Sequence, residues 1–347
     1  MLVFALMLAA QIAPQSADLP NRQPQLAYDG TRLGLAYGAG NSVFFAASTD
    51  SGKTWTKPVL VSTPGKLSLG MRRGPRIAMS PEAIVISAVA GPSGGGADGD
   101  LLAWRSVDGG KSWSAGKVIN DVASAAREGL HAMVAGGNGV VFAVWLDLRQ
   151  KGTRLYGSTS HDGGATWSPS VLVYESPSGT VCQCCHPSAA IDAQGRIFVM
   201  FRNVLDGDRD MYLVRSDDGG KTFGPAAKLG SGTWKLDGCP MDGGAVAVDA
   251  GGNPISVWRR EGDVFLSTGA NPEQRLGVGK QPILAATPRG PVSAWTQGKV
   301  LRVSAPGQAD ATVLDSDAAY PSMVALDNGR VVLAWEQGGT IVVKALE

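Results

Sequence analysis

Ser216-Asp217-Asp218-Gly219-Gly220-Lys221-Thr222-Phe223 decides the fold, because the chain repeats it. The same octet runs from Ser48 to Trp55, from Ser106 to Trp113 and from Ser160 to Trp167. Its third residue is always aspartate (Asp50, Asp108, Asp162, Asp218), so successive copies lie 58, 54 and 56 residues apart. Self-similarity at a near-fixed period is the signature of a repeat architecture. The octet has the chemistry of a tight turn: Asp can bond amides ahead of it, and Gly accepts a positive φ. The aromatic at position eight is expected to pack back under the turn. A strand signal precedes each octet, as at 43–47 or 211–214, and another follows, as at 58–61 or 170–173. The octet therefore reads as the corner between the outer two strands of a small sheet.

Two more strand signals lie upstream of each corner, at 132–135 and 140–145 in the third unit and at 189–192 and 197–202 in the fourth. Three later units lack the octet but keep these inner strands: 245–249 with 255–258, 283–286 with 292–295, and 323–327 with 331–335. Seven units thus start near Gln25, Arg76, His131, Ser188, Ala245, Pro282 and Ser322. None shows a helical period of useful length. The expected fold is an all-β propeller of four-stranded blades, seven blades being preferred and six the alternative. The last unit shows three strands before the end of the sequence. Its fourth is expected from the segment before Arg22, which would close the ring. Trp145, Trp258, Trp295 and Trp335 recur at the ends of second strands and are expected to pack the blades.

With 347 residues, 44% of them hydrophobic, the chain can bury a sizeable core. One propeller domain over residues 18–347 accounts for it, and a monomer is expected. A net charge of +1 gives no argument for nucleic acid or an anionic membrane as partner. Short charge clusters, Arg72-Arg73 and Arg259-Arg260-Glu261, read as solvated turns. The apolar run from Met1 to Ala10 is too short to span a bilayer. It has the character of a secretory h-region, so residues 1–17 are expected to be a signal peptide or N-terminal extension, and the protein secreted or periplasmic.

The octets resemble Asp-boxes, the S-x-D-x-G-x-x-W turns of the sialidase (neuraminidase) superfamily, also called BNR repeats. The resemblance implies an Asp-box β-propeller and covers nearly the whole chain. It further implies a carbohydrate or other anionic ligand at the central mouth, and glycoside hydrolysis of the exo-α-sialidase type. That family holds a carboxylate with three arginines and attacks with a tyrosine. Arg22-Gln23-Pro24 resembles its N-terminal R-I-P, and Arg202-Asn203 its second arginine strand, with Arg259 standing for the third. Tyr320-Pro321-Ser322-Met323, followed by Trp335-Glu336, resembles its tyrosine segments and makes Tyr320 the implied nucleophile. Asp242 or Asp147 is the implied acid/base. Where the family keeps a glutamate ahead of the second arginine, this chain has His186-Pro187.

The repeats also align the residue just before each innermost strand: Gln23, Gly74, His131, His186, Met241, Gln281 and Tyr320. In a propeller these positions ring one mouth of the central channel. All four cysteines lie just before the fourth and fifth members, in Cys182-Gln183-Cys184-Cys185-His186 and in Cys239-Pro240-Met241. Three readings stay open. An exported chain can form two disulfides, with a bridge from the first cluster to Cys239 the easiest. Thiolate, imidazole and thioether together suit copper or zinc, with Cys182, Cys184, Cys185, His186, Cys239 and Met241 as candidates and His131 nearby. Reactive thiols are the third reading. The function classes are accordingly a sialidase-like binder or glycosidase, a copper- or zinc-binding propeller, and a non-catalytic interaction scaffold stapled by disulfides.

Overall fold

A computed structural model describes residues 9–269 and 272–346. The expected run at the N-terminus falls on residues 1–8, outside the described residues, except for its end. There Ala10–Ile12 form strand β1.

Twenty-nine strands build seven antiparallel sheets, and no helix occurs among the described residues. The first blade is β2 (Asn21–Tyr28), β3 (Leu33–Ala39), β4 (Ser42–Ser48) and β5 (Val59–Ser62). The second has β7 (Arg76–Met79), β8 (Ile84–Gly91), β9 (Asp100–Ser106) and β10 (Lys117–Val118), with a short extra strand β6 (Lys66–Leu67) along β8. The third is β11 (His131–Ala135), β12 (Val141–Asp147), β13 (Arg154–Ser160) and β14 (Val171–Tyr174). The fourth is β15 (Ser188–Ile191), β16 (Ile197–Arg202), β17 (Met211–Ser216) and β18 (Ala227–Lys228). The fifth is β19 (Ala245–Val248), β20 (Pro254–Arg260), β21 (Asp263–Thr268) and β22 (Gln274–Val278). The sixth is β23 (Lys280–Thr287), β24 (Gly290–Gln297), β25 (Val300–Ser304) and β26 (Thr312–Asp315). The seventh has β27 (Ala319–Ala325), β28 (Val331–Gln337) and β29 (Thr340–Leu346), completed by β1. Seven sheets remove the six-bladed alternative.

The ring closes as expected. β1 runs antiparallel to β29, with Ala10 opposite Val343 and Ile12 opposite Ile341. Asn21 Nδ2 donates to Ile12 O at 2.9 Å and ties that closing strand to the first blade. A sheet joined from both ends of the chain leaves no open edge where the ring would otherwise part.

The second strands carry the core. β3, β8, β12 and β16 are buried along their whole length. Both faces of these strands meet a neighbouring blade, which explains their near-continuous apolar runs. Trp145, Trp258, Trp295 and Trp335 are buried where expected. The four octets fold alike. Ser48 Oγ donates to Asp50 Oδ1 at 2.8 Å and accepts from Gly52 N at 2.9 Å; Asp50 then accepts from Thr54 N at 2.9 Å and Thr54 Oγ1 at 2.6 Å. The position-eight aromatics do more than sit under their turns. Trp55 Nε1 does donate to Gly52 O, but Trp113 also packs edge-on against Phe45 of the preceding blade, and Phe223 against Phe142.

The seven innermost strands line a central channel. One end is apolar, a cavity of about 430 Å³ walled by residues such as Leu26, Ile77, Met133, Val246 and Val324. The other narrows to about 210 Å³ and is polar, lined by Arg72, Arg76, His186 and Gln25. That polar end lies just inside the unit-start residues, of which His186 lines it directly.

Candidate functional site at the polar mouth

The ring read from the repeats has a common backbone. Gln23, Met241, Gln281 and Tyr320 all have positive φ, at 55°, 52°, 57° and 48°, and Gly74 of the second blade has φ 121°. Bulky residues in the left-handed region cost free energy, and they gather where surrounding structure imposes them, often at functional sites. The cause is local. In blades one, six and seven the register slips between Arg22 and Gln25, Lys280 and Ile283, and Ala319 and Ser322. Each slip is a bulge in which an X-Pro pair opposes one aromatic of the second strand: Tyr37, Trp295 or Trp335. Proline has no N–H for the ladder, so a bulge is where an inner strand can accept it. The bulge also re-aims the side chain of the residue before the proline.

Two of these left-handed amides are held by carboxylates of the preceding blade. Gln23 N donates to Glu336 Oε1 at 2.7 Å, and Gln281 N to Asp242 Oδ2 at 2.7 Å. Both acids are buried, and burial raises both above the usual carboxylate range. Asp242 Oδ1 is buried with no hydrogen-bond partner. Glu336 also pairs with Arg22 at 3.1 Å, whose side chain is half exposed.

Arg72 crosses the mouth. It is 5% exposed and donates to Pro321 O and Gln281 O, both at 2.8 Å, in blades seven and six. Its Nε has no partner. Burial draws its pKa down to about 10, against the attraction of Asp242, Tyr320 and Glu336. Arg76 lies behind it and donates to the carbonyls of His131 and Arg72. Tyr320 Oη accepts from Met71 N at 3.4 Å. The expectation that Arg72-Arg73 is a solvated turn therefore fails for Arg72. Its backbone is left-handed, φ 65°, which turns the side chain inward. Arginine was read there as a surface residue because its partners lie 209 and 249 residues away. The one available signal was its place two residues before Gly74, in line with the ring.

The two ring histidines are neutral. Burial, with the charge of Arg76 beside it, lowers His131 to about 3, and its Nε2 faces Ser87 Oγ at 3.0 Å. Burial and the charges of Arg72 and Arg76 hold His186 well below the usual value, and its Nε2 donates to Gly244 O at 3.1 Å.

The other candidates divide. Arg202 is buried and donates to three carbonyls, of Asp242, Arg209 and Arg259, so it braces the blade. Arg259 is partly exposed; it and Arg202 both stack on Trp234, each 5.1 Å from the ring centroid. Trp234 was not singled out in the sequence, being an isolated aromatic in a loop. Asp147 has both oxygens engaged, by Trp145 Nε1 at 2.8 Å and by the fork of Arg149 at 2.9 and 3.0 Å. It locks the end of β12 and has no lone acid function.

The cysteines form one disulfide, Cys184–Cys239, with Cα atoms 6.2 Å apart. Cys182 and Cys185 are free, so the two-disulfide expectation is not met. Cys182, Cys184 and Cys185 bring their sulfurs together, whereas His131, His186 and Cys239 are not in that group. Met241 is 46% exposed. With Cys182 as thiolate, the hydrogen bond from Cys185 lowers its pKa to about 6 against burial, helped by Arg202 and Arg209, while burial pushes Cys185 up.

Seven four-stranded blades, Asp-box corners and a polar mouth of buried charges define a class of propeller. The chain belongs to the BNR repeat-like domain family, whose profile matches residues 34–333. Among solved structures it is similar to an α-L-arabinanase of Penicillium chrysogenum complexed with arabinobiose, at 15% identity over 98% of this chain and 97% of that one, TM-score 0.56. It is similar to an ulvan lyase of polysaccharide lyase family PL25, at 12% identity over 97% and 96%, TM-score 0.60. It is also similar to a Hadza microbial sialidase, at 14% identity over 94% of this chain and 65% of that one, TM-score 0.57. These likenesses carry the fold. No curated protein sequence matches the chain. No helix among the described residues is long and apolar enough to cross a membrane.

Proposed function

We propose that this chain is an exported, sialidase-like propeller that binds an anionic or carbohydrate ligand at its polar mouth. The observation that carries the reading is the ring itself. Gln23, Met241, Gln281 and Tyr320 occupy one position in four blades, each in the left-handed conformation, around a mouth crossed by Arg72. Arg22 offers a half-exposed guanidinium at the rim, suited to a carboxylate or sulfate. Arabinanase, ulvan lyase and sialidase neighbours, named for their carbohydrate substrates, support the same ligand class.

Hydrolysis of a glycoside is the reaction these groups can serve. Tyr320 is the nucleophile, its phenol lying in the field of the Arg72 cation. A neutral phenol suits an anionic sugar that a carboxylate would repel. Asp242 is the acid, because burial keeps its proton on at a higher pH than an exposed aspartate would. Arg22 takes the anionic group. Arg202 and Arg259 act behind the mouth as braces around Trp234. Export agrees with the partly exposed Cys184–Cys239 bridge, since disulfides persist in oxidising compartments.

Turnover of fluorogenic sialosides and related acidic glycosides tests the proposal. The wild type is expected to cleave at least one, and Tyr320→Phe to abolish cleavage while keeping the fold. A folded wild type that neither turns over nor binds any acidic sugar would overturn the reading.

A further inference from the structure

The cysteine cluster lies one residue behind the ring, and the mouth's chemistry does not use it. Cys182 and Cys185 stand three residues apart in one tight turn, where Cys185 N approaches Cys182 O at 3.4 Å. Their sulfurs are 3.4 Å apart. Cys184 Sγ lies 3.5 Å from Cys182 Sγ and 4.0 Å from Cys185 Sγ, which completes a triangle. Metal–thiolate bonds of about 2.3 Å set sulfur–sulfur edges of about 3.8 Å in a tetrahedral site and about 4.0 Å in a trigonal one. The triangle is already close to that size. The fourth cysteine is bonded to one of its corners through the Cys184–Cys239 disulfide.

The surroundings are those of an anion. Arg209 Nη1 approaches Cys182 Sγ at 3.5 Å. Arg202 is tied to the same turn through its backbone, Cys182 N donating to Arg202 O at 3.0 Å, and its side chain is 1% exposed and hydrogen-bonded to carbonyls. Among the described residues, neither arginine has a carboxylate within ion-pair distance, although eleven other arginines and lysines do. Two guanidinium groups without a carboxylate partner, one of them 3.5 Å from a sulfur, fit a thiolate cluster better than neutral thiols. Three thiolates with Cu(I), or four with Zn(II), carry two negative charges, which the two arginines balance.

We propose that Cys182, Cys184, Cys185 and Cys239 form a redox-gated site for a thiophilic d¹⁰ cation. In the oxidised chain, Cys184 and Cys239 are joined and the site is closed. A dithiol reductant opens it: the Cys184–Cys239 bond breaks, the reductant becomes the disulfide, and two thiols are regained. The cation then displaces one proton from each cysteine it binds. Cys239 and Cys184 are not fully buried, so a reductant can reach the bridge. Cu(I) takes the three clustered thiolates, whereas Zn(II) takes all four.

The test uses the full chain, reduced under anaerobic conditions, with folding followed by circular dichroism. Zn(II) alone and Cu(I) alone are titrated against a chromophoric chelator, and Co(II) reports coordination by its thiolate charge-transfer bands. One equivalent is expected in the reduced chain and none in the oxidised chain. Cys182→Ser and Cys185→Ser are expected to lose both ions. Cys239→Ser has no bridge to reduce; it keeps Cu(I) and loses Zn(II). Arg209→Ala should weaken the retained ion about tenfold, the size of an outer-shell effect. A folded, reduced chain with four titratable thiols that binds neither ion overturns the proposal. So does equal binding by the oxidised chain or by Cys182→Ser.

Discussion

The Asp-box corners and the polar mouth use the same unusual backbone in opposite ways. At the corners, positive φ falls mostly on glycine, as at Gly109 and Gly110, and each aspartate is bonded to residues two to four positions away. At the mouth, positive φ falls on Gln23, Gln281 and Tyr320, and the bonds span the ring, from Arg72 to Pro321 and from Gln23 to Glu336. The corners are self-contained and repeat. The mouth exists only when all seven blades are assembled, and its residues vary from blade to blade (Gln23, Gly74, His131, Met241, Tyr320).

The sharpest way to separate the two is to remove a spanning group. Arg72→Ala leaves two carbonyls without their donor and opens a cavity, so a loss of about 3 kcal/mol is expected. Urea unfolding reads it as a lower midpoint at unchanged slope. A loss below about 1 kcal/mol would mean that Arg72 spans the mouth without bracing it.

A corner can be broken nearly as hard, but at its glycine. Gly110 has φ 89°, and a methyl group there would overlap the Phe45 ring of the preceding blade. Gly110→Ala should cost about 2 kcal/mol from strain and overpacking together. Thermal unfolding of this variant beside Phe45→Leu, Gly110→Ala checks the cause, since the smaller side chain should restore part of the loss.

Acid separates the regions by window. Burial lowers His131 from its ordinary 6.5 to about 3 in the folded chain. Below 6.5 the unfolded chain takes up a proton that the native chain refuses, so its stability contribution is complete above 6.5 and is lost as pH falls toward 3. Asp50 is drawn from 3.8 to about 2, first by Thr54, so its contribution is lost only below 3.8. The raised acids Asp242 and Glu336 act with the opposite sign, losing stability as pH rises. Between pH 6.5 and 4.5, His131→Gln should therefore flatten the pH dependence of urea unfolding by about 1.4 kcal/mol per pH unit. Asp50→Asn should leave that slope unchanged.

The smallest expected effect is at Ser51, left-handed at φ 62° where the other three corners have glycine. Ser51→Gly should stabilise the chain by about 0.5 kcal/mol, the relief of strain slightly exceeding the entropy lost. A destabilised variant would show that Ser51 is held by something beyond its turn.

This difference also explains what the sequence revealed. The octets disclosed the blades because each corner is written in eight adjacent residues. The ring positions could be aligned for the same reason, and His131 and His186 do sit at the starts of their units. What the sequence hid were partnerships. Arg72-Arg73 looked like any surface pair, and nothing local says that Arg72 reaches Gln281 and Pro321. Arg202 and Asp147 looked free beyond their strands, yet backbone carbonyls and Arg149 occupy them. The cysteines were legible as a cluster. Which of them pair was not, because Cys184 and Cys239 meet only through a separation of 55 residues.

In the proposed function, ligand is bound by the mouth and not by the corners. Calorimetric binding of acidic sugars to the wild type, Arg22→Ala and Asp108→Asn tests it most directly. Arg22→Ala should weaken binding at least about tenfold, the worth of one charge-assisted hydrogen bond, while Asp108→Asn binds like the wild type. Equal loss in both variants, or a loss confined to Asp108→Asn, would contradict it.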